Sequence, residues 1–164
     1  MTFSGIYTKA AVLVQPIGSL EIMDDVMVPL PKRGQVLVRI QYAGLCHSQL
    51  MEIQGMRGEN KYLPHMLGHE GVGKVIQVGQ DVSKVKKDDQ VILGWIKGKG
   101  LEGNGCQYQT SRKMLIKSGS LTTFSEYVIV SENRLVLKPP HTPQAQSVLY
   151  GCAIPTGLGK VFNS

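Results

Sequence analysis

Glycine and proline recur along this entire chain, nineteen and eight times in 164 residues. That punctuation leaves room mainly for short strands joined by turns, and so points to a β-rich fold. Between the breaks the apolar residues fall into brief runs, and the first 40 residues read as β structure. Ala11 to Val14 is one such run. Val36, Val38 and Ile40 alternate with Leu37, Arg39 and Gln41 after the turn signal Pro31-Lys32-Arg33-Gly34, the two-residue period of a strand. Strands are likewise expected from Gly71 to Val78, from Gln90 to Trp95, from Phe124 to Val130 and over Leu135 to Leu137. A short helix is expected from Gln49 to Gln54, stopped by Gly55, with a loop over 55–66. Residues 96–120 lack periodicity and read as one long excursion, and such loops are usually functional or mobile. After the Pro139-Pro140 break, Thr142 and Pro143 form an N-cap and first-turn pair for a helix reaching Tyr150. A second helix is expected to start near Pro155 and to run to Ser164.

The composition excludes several classes. A hydrophobic fraction of 42% and a charged fraction of 18% belong to an ordinary soluble domain. No apolar run approaches the ~18 residues that a membrane helix needs, and the N-terminus lacks a signal-peptide pattern, so a cytoplasmic location is expected. The net charge is +6, but the densest basic cluster (Lys84, Lys86, Lys87) sits beside Asp88 and Asp89. That is a solvated turn rather than a nucleic-acid track. Cys46, Cys106 and Cys152 are too few and too scattered for a disulfide framework.

Three segments could carry chemistry: Gly44-Leu45-Cys46-His47-Ser48, Gly68-His69-Glu70-Gly71-Val72-Gly73 and Gly151-Cys152-Ala153-Ile154-Pro155-Thr156-Gly157. Each holds a soft metal ligand among glycines that let the backbone bend closely. Cys46, His69 and Cys152 would make a Cys₂His set with a fourth position open to water or substrate, the arrangement of a catalytic zinc rather than a closed structural one. Taken singly, each has a plainer reading, since a lone cysteine is usually a small buried hydrophobe and a lone histidine a satisfied polar residue. Other patterns fail on context. Gly98-Lys99-Gly100-Leu101-Glu102-Gly103 fits a dinucleotide fingerprint, yet no helix pattern follows it and no acidic residue lies about twenty residues on. It reads as a flexible loop. His69-Glu70 begins like a zinc-protease motif, but Gly73 stands where the second histidine belongs. His65 is read as structural and His141 as exposed.

In order and context, the three segments resemble the medium-chain dehydrogenase/reductase superfamily, specifically the GroES-like catalytic domain of its zinc-dependent alcohol dehydrogenases. Its Gly-x-Cys-His-[Ser/Thr], Gly-His-Glu-x-x-Gly and late Gly-Cys-x-x-x-Thr-Gly patterns match residues 44–48, 68–73 and 151–157. The resemblance implies a GroES-like, partly open β-barrel over residues 1–140, with 141–164 a helical connection to a nucleotide-binding domain. It implies one catalytic zinc on Cys46, His69 and Cys152, and alcohol, aldehyde or ketone substrates exchanging hydride with NAD or NADP. Ser48 would relay the substrate proton, Glu70 would sit beside the metal, supporting its ligands or serving as an alternative fourth ligand, and Thr156 would lie near the nicotinamide. A homo-oligomeric parent protein is expected, with the 164 residues alone inactive. A structural zinc is not expected, because Cys106 stands alone in the 96–120 segment. Two departures bear on the relay and the ligand support: Gln49 stands where an aspartate is common, and Met51 where some members carry a histidine. The competing readings are a zinc-free reductase of the same superfamily and a GroES-like interaction module.

Overall fold

A computed structural model describes residues 5–163. Ten strands dominate: β1 (Gly5–Leu13), β2 (Glu21–Pro29), β3 (Gln35–Ala43), β4 (His65–Met66), β5 (Gly71–Val78), β6 (Gln90–Leu93), β7 (Gln107–Thr110), β8 (Leu115–Ser118), β9 (Tyr127–Ser131) and β10 (Leu135–Leu137). Three short helices accompany them: α1 (His47–Ile53), α2 (Gln144–Ser147) and α3 (Ala153–Phe162). β1, β2, β7, β8 and β4 close into a ring, and the other five strands form a sheet in the order β10-β6-β5-β3-β9. The mainly β architecture expected from the turn spacing is therefore observed.

Alternation along β3 joins the two layers. Val36 and Val38 enter a core with Val75, Val91, Leu93, Val128 and Val130. Leu37, on the opposite face, enters the ring's core with Val12, Val26, Met66, Tyr108 and Ile129. β9 behaves the same way, with Val128 and Val130 on one side and Ile129 on the other. Strands covered on both faces need apolar residues at successive positions, which is why these two read as nearly continuous apolar runs. Where the chain approaches β9, the Ala11 N–H donates to Phe124 O at 2.8 Å and the Glu126 N–H to Lys9 O at 3.0 Å. Residues 124–126 thus bond to the ring before β9 enters the sheet, so the strand begins at Tyr127 rather than Phe124.

Several expectations are corrected. The 96–120 excursion is not structureless: β7 and β8 pair as a hairpin, Tyr108 opposite Ile116. Each strand is only four residues long and places few large apolar residues inward, too few to show a period. The supposed loop 55–66 ends in β4, which pairs with β1 on one side and with β8 on the other. Residues 98–103 form a loop as expected, but one pinned from below: the Leu101 N–H donates to Glu132 Oε2 at 2.7 Å and the Gly103 N–H to Ser131 Oγ at 3.0 Å. Thr142 does not cap α2. Its N–H turns back to Pro139 O at 3.2 Å, and Pro143 takes the N-cap position with ψ 141°. The helical turns continue only as a tight 3-10 segment, Val148–Gly151. α3 starts at Ala153, two residues before Pro155, and ends at Phe162 with Asn163 as its C-cap; Ser164 lies outside the described residues.

Candidate metal centre

Three neighbouring strands set the centre. Gly71 at the start of β5 lies opposite Ala43 at the end of β3 and opposite Leu93 at the end of β6. One step beyond, the Gly44 N–H donates to the Glu70 carbonyl at 3.1 Å. The chain leaving β3 and the chain entering β5 are thereby clamped side by side, with Cys46 and His69 just outside the last pair. The third segment docks on the end of β6. A side chain on Gly151 would collide with the Leu93 carbonyl and come within 2.8 Å of Glu70 Cβ. Gly44 is equally tight, since a Cβ there would lie 2.5 Å from the Glu70 carboxyl carbon. Only glycine lets both cysteine-bearing segments close on Glu70.

The result is a triangle. One ligand atom from each of Cys46, His69 and Cys152 lies within 4.8 Å of the others. Cys152 is buried, while Cys46 and His69 are partly buried. His69 Nε2 is buried without a hydrogen-bond partner, a costly state for a ring nitrogen unless something else occupies it. Burial, and next the charge of Arg57, hold the His69 imidazolium below its usual range, which favours the neutral ring. The Ser48 hydroxyl beside Cys46 is the main influence holding that thiol below its usual value. Burial pushes the Cys152 thiol up, partly offset by the Thr156 hydroxyl. Two thiols and a neutral imidazole, poised around a shared point, form a donor set that suits a soft or borderline cation such as zinc.

The other expected residues fall around this triangle. Ser48 Oγ is buried and makes no complete hydrogen bond, although it is close enough to favour the Cys46 thiolate. Glu70 is buried, its Oε2 also lacks a partner, and desolvation raises its carboxyl above the usual carboxylate range. It adjoins both thiols electrostatically but is not one of the three clustered ligand groups. Thr156 lies on α3, exposed, with its hydroxyl 3.7 Å from Cys152 Sγ. Cys106 is in β7's approach, away from the triangle; burial pushes its thiol up to about 12. His65 bonds Glu52 at 2.8 Å, a structural pairing, and His141 is exposed.

Gln49 has a larger part than its sequence position indicates. The buried amide accepts the Cys46 N–H on Oε1 at 3.1 Å and brings its Nε2 to 2.5 Å from His69 Nδ1. An amide nitrogen donates, so Nδ1 accepts, which leaves the ring proton on Nε2. Ligation through Nε2 requires the opposite tautomer, with Nδ1–H donating to an oxygen. The Gln49 amide would turn over for that, giving up the Cys46 N–H.

Among known proteins, the chain matches the family model described as the alcohol dehydrogenase GroES-like domain over residues 32–140, more than half its length. It is 32% identical over 181 aligned positions to an S-(hydroxymethyl)glutathione dehydrogenase of Escherichia coli, covering 96% of this chain and 48% of that protein. Among solved structures, an alcohol dehydrogenase zinc-binding domain protein from Burkholderia ambifaria superposes with a TM-score of 0.84 at 24% identity, over 98% of this chain and 49% of the other. The 2R,3R-butanediol dehydrogenase of Bacillus subtilis gives 0.64 at 26% identity, over 87% of this chain and 43% of that one. The chain spans about half the length of the relatives it matches. No helix among the described residues is long and apolar enough to cross a membrane. The chain belongs to the alcohol dehydrogenase GroES-like domain family.

Proposed function

We propose that Cys46, His69 and Cys152 hold a single zinc ion with its fourth position open, in an oxidoreductase that exchanges hydride between an alcohol and its carbonyl product and NAD or NADP. The observation that carries this reading is the triangle itself: three soft donors within 4.8 Å, with a buried ring nitrogen that has no protein partner. The 32% identity to S-(hydroxymethyl)glutathione dehydrogenase supports dehydrogenation of a hydroxyl-bearing small molecule. Zinc bound there would polarise a carbonyl oxygen or stabilise an alkoxide.

The chain's own residues take the remaining tasks. Cys46 and Cys152 would bind as thiolates, and Ser48, beside Cys46, would relay the substrate hydroxyl's proton toward solvent, accepting it as its own hydroxyl proton leaves. Glu70 remains under the site as a buried carboxyl that separates the two cysteine segments and sets the field at both thiols. Thr156, one helical turn beyond Cys152, would lie near the nicotinamide. Residues 141–164 lead toward a nucleotide-binding domain, consistent with relatives about twice as long, so turnover requires that further domain. We assign the whole protein to the cytoplasm as a homo-oligomer.

The test is elemental analysis of protein purified without chelator, beside a Cys152→Ser variant. About one zinc per chain, lost or weakened in the variant, supports the reading. Absence of metal from both, after zinc is supplied to fully reduced protein, refutes it.

A further inference from the structure

Away from the triangle, the turn that links β9 to β10 sends Arg134 into the protein. Arg134 retains only 9% of its exposure, and Asn133, beside it, retains 7%. The guanidinium donates through Nη1 to the Trp95 carbonyl, but Nε is buried without a partner, and so is Asn133 Oδ1. No carboxylate within ion-pair distance answers this charge among the described residues. Glu102 feels the Arg134 charge, but its Oε2 takes Lys97 at 2.6 Å and Asn133 Nδ2 at 3.1 Å, its Oε1 the Ser131 hydroxyl at 3.5 Å, and neither oxygen comes within ion-pair distance of the guanidinium. A buried guanidinium is expensive unless an anion pairs with it.

Both residues line a cavity of about 270 Å³. Its walls include Ile92, Ile96, Val136 and Tyr150, of which the last three are about half exposed. The pocket is therefore an apolar cleft, open to solvent, that reaches a buried, charged and incompletely bonded arginine. That combination is what a small-molecule site requires: walls that bury an apolar body and a few polar groups that fix its orientation. Arg134 offers a donor suited to a carboxylate.

We propose that this cleft binds a small organic carboxylate, anion down on Arg134 and apolar body against Ile96, Val136 and Tyr150. The site contains none of the three clustered cysteine and histidine groups, and it stands whether or not the triangle holds a metal. Because Gly151 lines the same cavity, an occupant rests against the backbone that carries Cys152.

The experiment is titration of the full chain with benzoate, followed by calorimetry and amide chemical shifts, in the presence of chelator so that a carboxylate on a bound metal cannot mimic the result. Benzamide serves as the neutral isostere and inorganic phosphate as the anion without an apolar body. The expected result is saturable benzoate binding, at least tenfold tighter than either control, with shifts at residues 94–98, 133–136 and 150–151. Arg134→Met is expected to abolish it. Ile96→Trp, a change at a half-exposed wall that does not endanger folding, is expected to block it by filling the cleft. Equal binding of benzoate and benzamide, equal binding of phosphate, survival of binding in a folded Ile96→Trp or Arg134→Met protein, or no saturable binding overturns the proposal. Failure of zinc to bind leaves this outcome unchanged, so the two readings fail separately.

Discussion

Replacing Glu132 by glutamine tests how the 96–105 segment is held in place. Glu132 is 1% exposed and its carboxylate accepts three backbone N–H groups at 2.7 Å each: Ser83 and Lys84 on Oε1, Leu101 on Oε2. The glutamine oxygen can keep the first pair, but its NH₂ then faces the Leu101 N–H, donor against donor. A hydrogen bond to a charged group is worth about 1.5–3 kcal/mol, and an unsatisfied buried donor costs about 1–3 kcal/mol. Loss of the Leu101 bond, with weakening of the other two, therefore predicts a destabilisation of roughly 2–4 kcal/mol at neutral pH. Burial alone would raise this carboxyl, but the three N–H donors and Lys84 outweigh it and hold the group below its usual range. A depressed folded-state value stabilises the protein above the unfolded carboxylate value, and that contribution fades as pH falls through the folded one. Urea unfolding of both proteins from neutral pH down into the acid range measures the difference, and hydrogen exchange at Leu101 locates it. Equal stability at neutral pH, or a gap that fails to shrink on acidification, refutes the reasoning.

Three further outcomes are expected. Gln49→Glu supplies an acceptor to both the Cys46 N–H and His69 Nδ1–H, so cobalt titration followed by its thiolate charge-transfer bands should show about tenfold tighter binding, and Gln49→Leu 10–100-fold weaker binding; an unchanged affinity in both variants removes Gln49 from the support of the site. With iodoacetamide at neutral pH, peptide mass spectrometry should find Cys46 modified first and Cys106 last, because one thiol is lowered and the other is pushed up to about 12; added zinc should protect Cys46 and Cys152, and a Cys46 rate indifferent to zinc contradicts the assignment. Gly151→Ala forces a methyl against the Leu93 carbonyl, for which overpacking costs of about 1–3 kcal/mol are expected, with weaker metal binding because Cys152 moves with it; a neutral effect on both stability and cobalt affinity shows that the docking is looser than the contact implies.

The parts of the fold legible in the sequence are those where one residue's conformational limits decide the outcome. Gly55, at φ +71°, stops α1 where glycine's freedom predicts a stop, and the strands around Val36, Val72 and Val128 follow their apolar runs. β2 was legible only through the expectation of β structure in the first 40 residues, and the β7–β8 hairpin was not legible. β2 carries Asp24 and Asp25 in its middle, and only Val26 and Val28 within it are fully buried. Lys113 takes the positive φ, +66°, at the hairpin turn, where no glycine marks it. For the centre, the motifs named the three donors individually. What the motifs could not reveal is the tautomer conflict at Gln49, since it depends on which amide atom meets Cys46. Nor could they reveal the buried Arg134, whose turn reads as an ordinary polar surface segment.

Taken together, the perturbed groups at the triangle share one cause. Burial lowers the His69 imidazolium, raises the Glu70 carboxyl and raises the Cys152 thiol. Each shift moves a group toward its uncharged form, as low-polarity surroundings with little compensating positive charge demand. The Ser48 hydroxyl favours a thiolate only at Cys46. Packing on Glu70 through Gly44 and Gly151 thus gathers groups that could be anionic and leaves them under-compensated. A cation at their centre reverses the balance, since it stabilises both thiolates and, once the Gln49 amide has turned, takes the lone pair of His69 Nε2. The binding free energy then acts on the contacts between the three segments as well as on the site. Metal affinity and the docking of Gly151 on β6 should accordingly rise and fall together, because the same backbone closure sets both.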